Sequence, residues 1–162
     1  MKVNARKTIT IAKEVDLDII EATLLTITEV RKLPERLKIY DDWWLKTPGS
    51  YSCYVAFVNY NGVVDYDISC CDFMVRPALV ISNLDAFNLQ IGDTFVFGRS
   101  EFEIITNSKA LCSTWIEISP FREDWKADDA NDYEKSDIKK IVDEWFEKSK
   151  KELNNEKEEV SS

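Results

Sequence analysis

Thirty carboxylates and four thiols are the groups in this chain of 162 residues that could do chemistry, and it holds no histidine at all. Close carboxylate pairs stand at Asp16/Asp18, Asp41/Asp42, Asp65/Asp67 and Asp128/Asp129. Such a pair runs general acid–base chemistry when its surroundings push the two pKa values apart. With so many acidic residues, pairs of this kind also arise by chance, and nothing around any of the four marks it as catalytic. Asp65 and Asp67, two residues apart, would share one face of a strand and could offer oxygens to Ca²⁺. Calcium takes six or more oxygen ligands, and no EF-hand-like loop surrounds them. A solvated strand face is the ordinary account.

The thiols are Cys53, Cys70, Cys71 and Cys112, and no two have CxxC spacing. The missing histidine removes the commonest general base and the commonest metal ligand together. A cysteine nucleophile would lack its usual activating partner. There is no GxSxG elbow, no P-loop and no GxGxxG opening a helix. The expectation is a non-enzymatic chain with no cofactor and no metal site, carrying free thiols in a reducing compartment.

The net charge is −9. An acidic chain repels phosphate backbones and anionic lipid, so direct nucleic-acid or membrane binding is not expected. No run approaches the roughly 18 apolar residues of a membrane helix. Met1 to Glu14 lacks the continuous apolar core of a secretory signal, which points to the cytoplasm. The length fits one domain, read as residues 1–150, followed by a charged, frayed or disordered tail over 151–162.

Periodicity and turn residues predict the elements. Thr8 to Ala12 and Ala22 to Leu25 are β-prone runs. Thr26-Ile27-Thr28-Glu29 reads as a capping box that opens a short helix ending before Pro34. After Trp43-Trp44-Leu45, the residues Thr47-Pro48-Gly49 make a turn. Tyr54 to Tyr60 and Val63 to Ile68 are strand arms joined at Asn61-Gly62, the pair that a type I′ turn favours. Val75 to Ile81 is a strand in which Pro77 marks an edge, start or bulge. Thr94 to Phe97 and Glu101 to Ile105 form a hairpin about Gly98-Arg99-Ser100, and Ala110 to Ile118 is a further strand. Ser136 caps a helix whose Ile138, Ile141, Val142, Trp145 and Phe146 form one apolar stripe, expected to dock Trp145 and Phe146 on a sheet. The fold class is α+β: short antiparallel strands, a short helix in the N-terminal half and a C-terminal amphipathic helix.

One stretch has an unusual composition. Ser50 to Phe73 contains no Lys, Glu, Gln, Met or Trp, although the other 138 residues hold 38 of these. It is filled with types that pyrimidine-ending codons encode. Tyr, Ser, Asn and Gly are also what recognition surfaces favour, combining rigid amphipathic rings with adaptable hydrogen bonding. A β-rich segment is likewise poor in Lys and Glu, so both accounts stand.

Two motifs bracket that stretch. Trp43-Trp44-Leu45-Lys46-Thr47-Pro48-Gly49 resembles the WWLRSPG motif of an uncharacterised bacterial and phage domain family, with Lys46 for Arg and Thr47 for Ser. Val75-Arg76-Pro77-Ala78-Leu79 resembles the family's closing VRPAL. Between them Ala56-Phe57-Val58 and Gly62-Val63-Val64 match its A-x-V and G-x-V. Leu24 to Glu29 resembles the family's LLS-x-EE segment. The run from Tyr133 to Phe146 is similar to its opening S-x-I/L-R-x-W-L-N piece, here displaced to the C-terminus as in a circular permutation. That family in turn resembles C-type-lectin-like folds, including variable proteins diversified by retroelements, in which a segment ending at a VRP-like motif displays the binding residues.

The resemblance implies a C-type-lectin-like binding module of phage or mobile-element origin that meets a protein partner. It implies a contact surface drawn from Tyr51, Tyr54, Phe57, Asn59, Asn61, Asp65, Asp67, Ser69 and Asp72, of which strand alternation should send about half outward. Trp43, Trp44, Pro48, Gly49, Arg76 and Pro77 are expected as scaffold. The lectin tripeptides Glu-Pro-Asn and Gln-Pro-Asp are absent, so calcium-dependent sugar binding is not implied. The cysteines match no catalytic pattern of formylglycine-generating relatives. The other reading is an acidic inhibitor of a host nucleic-acid-handling defence enzyme, acting as a nucleic-acid mimic.

Overall fold

The computed structural model describes residues 8–9 and 16–161, with side-chain surroundings from Asp16 to Asn155. The chain folds into two compact units. An inner unit takes Thr23–Pro77 and Trp115–Asp143; a terminal unit takes the residues up to Ala22, Ala78–Thr114, and Glu144 onward.

The inner unit opens with the expected capping box. Thr26 Oγ1 accepts from the Glu29 amide (3.2 Å) and Glu29 Oε1 accepts from the Thr26 amide (3.0 Å). Two orphan donors are thereby satisfied, and α1 runs Ile27–Arg31. Pro34 then leads into α2, Glu35–Lys38. The sheet consists of β3 (Trp43–Pro48), β4 (Tyr54–Val58), β5 (Val64–Ile68), β6 (Phe73–Val75) and β11 (Glu117–Ser119), in the order β11-β6-β3-β4-β5. β3–β4, β4–β5 and β6–β11 are antiparallel, and β3 meets β6 in parallel at Trp43 and Met74.

β3 and β4 are buried on both faces, with Trp43, Trp44, Leu45, Val55, Ala56 and Val58 wholly enclosed. On one face Trp44 gathers Phe57, Phe73 and Phe121 at ring distances of 6.2, 4.6 and 5.6 Å. Its indole N–H is satisfied by the Ser119 carbonyl at 2.9 Å. On the opposite face Trp43 carries the guanidinium of buried Arg76 at 4.7 Å from its ring centroid. Arg76 Nη1 donates to the Leu37 carbonyl at 2.6 Å, in the last turn of α2, where carbonyls lack helical partners.

The second sheet, which belongs to the terminal unit apart from Thr23 at the end of β2, holds β1 (Thr8–Ile9), β2 (Ile19–Thr23), β7 (Ala78–Ile81), β8 (Thr94–Phe97), β9 (Ser100–Ile104) and β10 (Lys109–Cys112), in the order β1-β8-β9-β10-β7-β2. Gly98 and Arg99 turn the β8–β9 hairpin, both with positive φ (61° and 64°), as a type I′ turn requires. α3 spans Asp137–Ser161, and Ser136 Oγ caps it by accepting from the Lys139 amide at 3.0 Å. Trp145 and Phe146 dock on the hairpin as expected: Trp145 lies 5.8 Å from Phe97 and from Phe102, and Phe146 lies 6.0 Å from Phe97.

Several sequence expectations are corrected. The strand predicted over Val75 to Ile81 is two strands, β6 and β7, in different sheets, because Pro77 offers no donor to continue a ladder. The strand predicted over Ala110 to Ile118 likewise divides into β10 and β11. At the join, the Ser113 amide bonds the Glu101 carbonyl and the Ile116 amide bonds that of Val75. The run Ala22 to Leu25 is strand only up to Thr23. Of Thr8 to Ala12, the residues beyond Ile9 lie outside the described set. The Asn61-Gly62 turn is not type I′, since only Gly62 has positive φ (79°). Its loop is three residues long: Gly62 N–H bonds the Asn59 carbonyl and Asn59 N–H bonds the Val63 carbonyl, both at 2.8 Å. No helix among the described residues is long and apolar enough to cross a membrane.

Candidate binding face

The turn that closes β3 builds the site. The Gly49 N–H donates to the Tyr54 carbonyl at 2.8 Å. A Cβ on Gly49 would meet Tyr54 Cβ at 2.8 Å and the Tyr54 carbonyl oxygen at 3.0 Å, so the close approach requires glycine. The Tyr54 N–H donates back to the Tyr51 carbonyl at 3.0 Å, which tightens the loop. Asn131 Nδ2 then donates to the carbonyls of Tyr51 (3.0 Å) and Gly49 (3.4 Å). Four hydrogen bonds therefore hold a six-residue loop before any ligand arrives, which lowers the ordering cost of binding.

Tyr51 and Tyr54 stand edge to face, 5.8 Å apart at 62°. Residues directly opposite on antiparallel strands share a face. Tyr54 opposes Ile68 and Ala56 opposes Tyr66, so Tyr66 joins Tyr54 on one side of the sheet. Ser50, Tyr51, Tyr54 and Tyr66 line an open depression of about 430 Å³. Tyr51 is 70% exposed and Tyr66 48%, so their rings are available without rearrangement.

Asp65 and Asp67 lie on the other side, opposite Phe57 and Val55. Each bonds the next amide of its own strand: Asp65 Oδ1 accepts from Tyr66 N–H (2.8 Å) and Asp67 Oδ1 from Ile68 N–H (2.7 Å). β5 is the edge of its sheet. The Asn59–Val63 and Cys53–Ser69 amide bonds fix the two-residue alternation, so the Tyr66 and Ile68 amides point away from β4. The two carboxylates thus occupy edge donors that would otherwise template another strand.

Two expected contact residues are corrected. Phe57 is only 6% exposed, stacked 4.4 Å from Phe73 in the core. Ser69 is fully buried, its hydroxyl donating to the Arg122 carbonyl and its own carbonyl accepting the Arg122 amide, both at 3.0 Å. Asn59 serves the hairpin loop: its Oδ1 accepts from the amides of Asn61 (3.0 Å) and Val63 (3.1 Å). Asn61 is exposed at the tip. Asp72 lies apart, where Asp41, Asp42, Phe73, Met74 and Ile118 line a smaller depression with it.

The four cysteines are free thiols. Burial, and then a hydrogen bond from the thiol to the Asp67 carboxylate, push the Cys71 pKa up to about 11, so it stays protonated and weakly nucleophilic at neutral pH. Among the described residues, no three His, Cys, Asp or Glu side chains gather as a metal site.

Sequence reasoning missed Ser50, Tyr66 and Asn131. Tyr66 could have been found from the hairpin register, which the wrong turn type hid; Asn131, some 80 residues away in sequence, left no signal. No family model matches the chain, and neither a curated protein nor a solved structure matches it.

Proposed function

We propose that this chain is a non-enzymatic, C-type-lectin-like binding module of phage or mobile-element origin that recognises a protein partner in the host cytoplasm through the tyrosine face. The observation carrying the reading is the open depression lined by Ser50, Tyr51, Tyr54 and Tyr66 on a loop fixed in advance. Exposed tyrosines give large contact area at little conformational cost. The occupied edge amides of β5 argue that recognition runs through side chains rather than strand addition.

The test is affinity capture from lysate of the native cell, comparing wild type with Tyr51→Ala/Tyr66→Ala and with Asp65→Asn/Asp67→Asn. The reading expects one retained protein partner that the tyrosine variant loses and the asparagine variant keeps, because Asp65 and Asp67 lie on the opposite face. A partner kept by the tyrosine variant would sink it. The depression holding Asp41, Asp42 and Asp72 favours a second reading, acidic mimicry of nucleic acid. That reading expects a basic nucleic-acid-handling partner, lost at high salt and indifferent to Tyr51 and Tyr66.

A further inference from the structure

We propose that the end of the inner sheet where β3 and β6 begin is a docking surface for a short basic segment of a partner protein, one with an Arg or Lys between two apolar side chains. Across this end the strands run in the order β11-β6-β3-β4-β5. The side chains they present change from apolar to acidic and back to apolar. Ile118 of β11 is 52% exposed. Asp72 precedes β6, and Asp41 and Asp42 precede β3; with Ile118 these aspartates line one depression. Beyond them, at the β4–β5 tip, Tyr60 and Val63 are 64% and 57% exposed. Ile39 is 53% exposed, and its Cγ1 would lie 3.0 Å from a Cβ on Gly62, so it joins Tyr60 and Val63 in one patch. The Tyr60 N–H donates to Asp42 Oδ1 at 2.9 Å, which ties the acidic centre to that patch.

Single exposed apolar residues are ordinary on a protein surface, but residues that adjoin one another mark a place for contact. Charge decides the occupant. Three carboxylates stand together, and among the described residues no Lys or Arg forms an ion pair with any of them. Lys38, beside Gly62, turns its ammonium to Glu35 at 3.4 Å. A wholly apolar segment would strip water from the carboxylates and give nothing back, which is costly. A cation at its centre supplies charge-assisted hydrogen bonds instead. Adjacent strands lie about 4.8 Å apart, so Ile118 on β11 and Tyr60 beyond β4, three spacings apart, are about 14 Å from one another, the span of four or five extended residues. That span sets the pattern of the segment: apolar, spacer, Arg or Lys, spacer, apolar. The inference does not use the tyrosine face, and it differs from nucleic-acid mimicry in needing apolar contact.

The experiment uses the full chain with ¹³C-labelled Ile and Val methyls and tyrosine rings, titrated with the peptide Gly-Leu-Ser-Arg-Ser-Leu-Gly. Two control peptides replace the arginine with citrulline, its neutral isostere, or both leucines with serine. The expected result is saturable shifts at Ile39, Val63 and Ile118 with the first peptide, at least about fivefold weaker with either control. The Tyr51 and Tyr66 ring signals should not move. Asp41→Asn/Asp72→Asn should weaken binding about fivefold or more, and Val63→Ser about two- to fivefold. All three positions are exposed, and unchanged thermal unfolding of the variants checks that the fold is kept. No shift at these methyls, or equal binding of the three peptides, would overturn the docking surface. So would binding that ignores Val63→Ser and vanishes at high salt, which would be diffuse attraction to an acidic chain. Shifts at the same methyls on diluting the protein alone would overturn it too, since the occupant would then be a second copy of the chain. None of these outcomes bears on capture of a partner through Tyr51 and Tyr66, so this inference and the tyrosine-face reading fail separately.

Discussion

The two hairpins of this protein both carry clusters of aromatic rings, one set buried and the other open to solvent. β8–β9 carries Phe95, Phe97 and Phe102, and α3 covers them with Trp145 and Phe146. The hairpin β4–β5, with the loop before it, carries Tyr51, Tyr54 and Tyr66 on one face, with no helix ring among their ring contacts within the described residues. Rings without a polar atom lose most by staying in water, so the phenylalanines are the ones a helix buries. Rings with a hydroxyl tolerate solvent at one end and remain free to meet a partner. The turns differ accordingly. Gly98 packs so tightly on Ser149 that an added Cβ would collide with its Oγ and Cβ, whereas at Gly62 the nearest atom is Ile39 Cγ1 at 3.0 Å.

The largest expected effect separates the two sets of rings. Phe97→Ala should cost about 3–5 kcal/mol of unfolding free energy, while Tyr66→Ala should stay within about 0.5 kcal/mol. Chemical denaturation measures both; similar costs would mean the tyrosine face is packed core rather than open surface. Next come the turns. Gly98→Ala should cost about 2–4 kcal/mol, combining a left-handed backbone with displacement of Ser149, and Gly62→Ala only about 1–2 kcal/mol. An equal loss at both turns would remove the distinction between a clamped and a free hairpin.

Asn59→Ala should cost about 1 kcal/mol, from two backbone amides that lose their side-chain acceptor. It should also release the loop, seen as a changed Asn61 φ in three-bond couplings; an unchanged loop would show that Gly62 alone sets it. The smallest effect concerns the loop that pins Tyr51. Asp129 is held below the ordinary carboxylate range by its hydrogen bond with Arg122 (2.6 Å), then by Lys135. A depressed folded value adds stability above the unfolded value of about 3.9 and loses it as pH falls through the folded value. Carboxyl ¹³C titration should therefore place the Asp129 midpoint below that value, and Arg122→Gln should raise it.

Features that depend on neighbours three or four residues away were legible in the sequence. The Thr26/Glu29 capping box, the Ser136 cap and the stripe through Trp145 and Phe146 are set by local backbone geometry and helical period. The α+β class follows from them and from the alternating runs. Composition alone marked Ser50 to Phe73, and its tyrosines do supply the candidate site.

Tertiary structure alone decided which of those residues share a face. A two-residue Asn61-Gly62 turn would pair Tyr60 with Val63 and set Tyr66 opposite Phe57, against the core. The three-residue loop, closed by the Asn59 side chain, shifts the register by one and pairs Tyr66 with Ala56 instead. A one-residue slip moves every side chain of a strand to the opposite face. The split of Val75 to Ile81 between two sheets, the burial of Ser69 against Arg122 and the hold of Asn131 on Tyr51 are likewise invisible in sequence. Each depends on a partner distant along the chain, and only the folded backbone brings those partners within hydrogen-bonding distance.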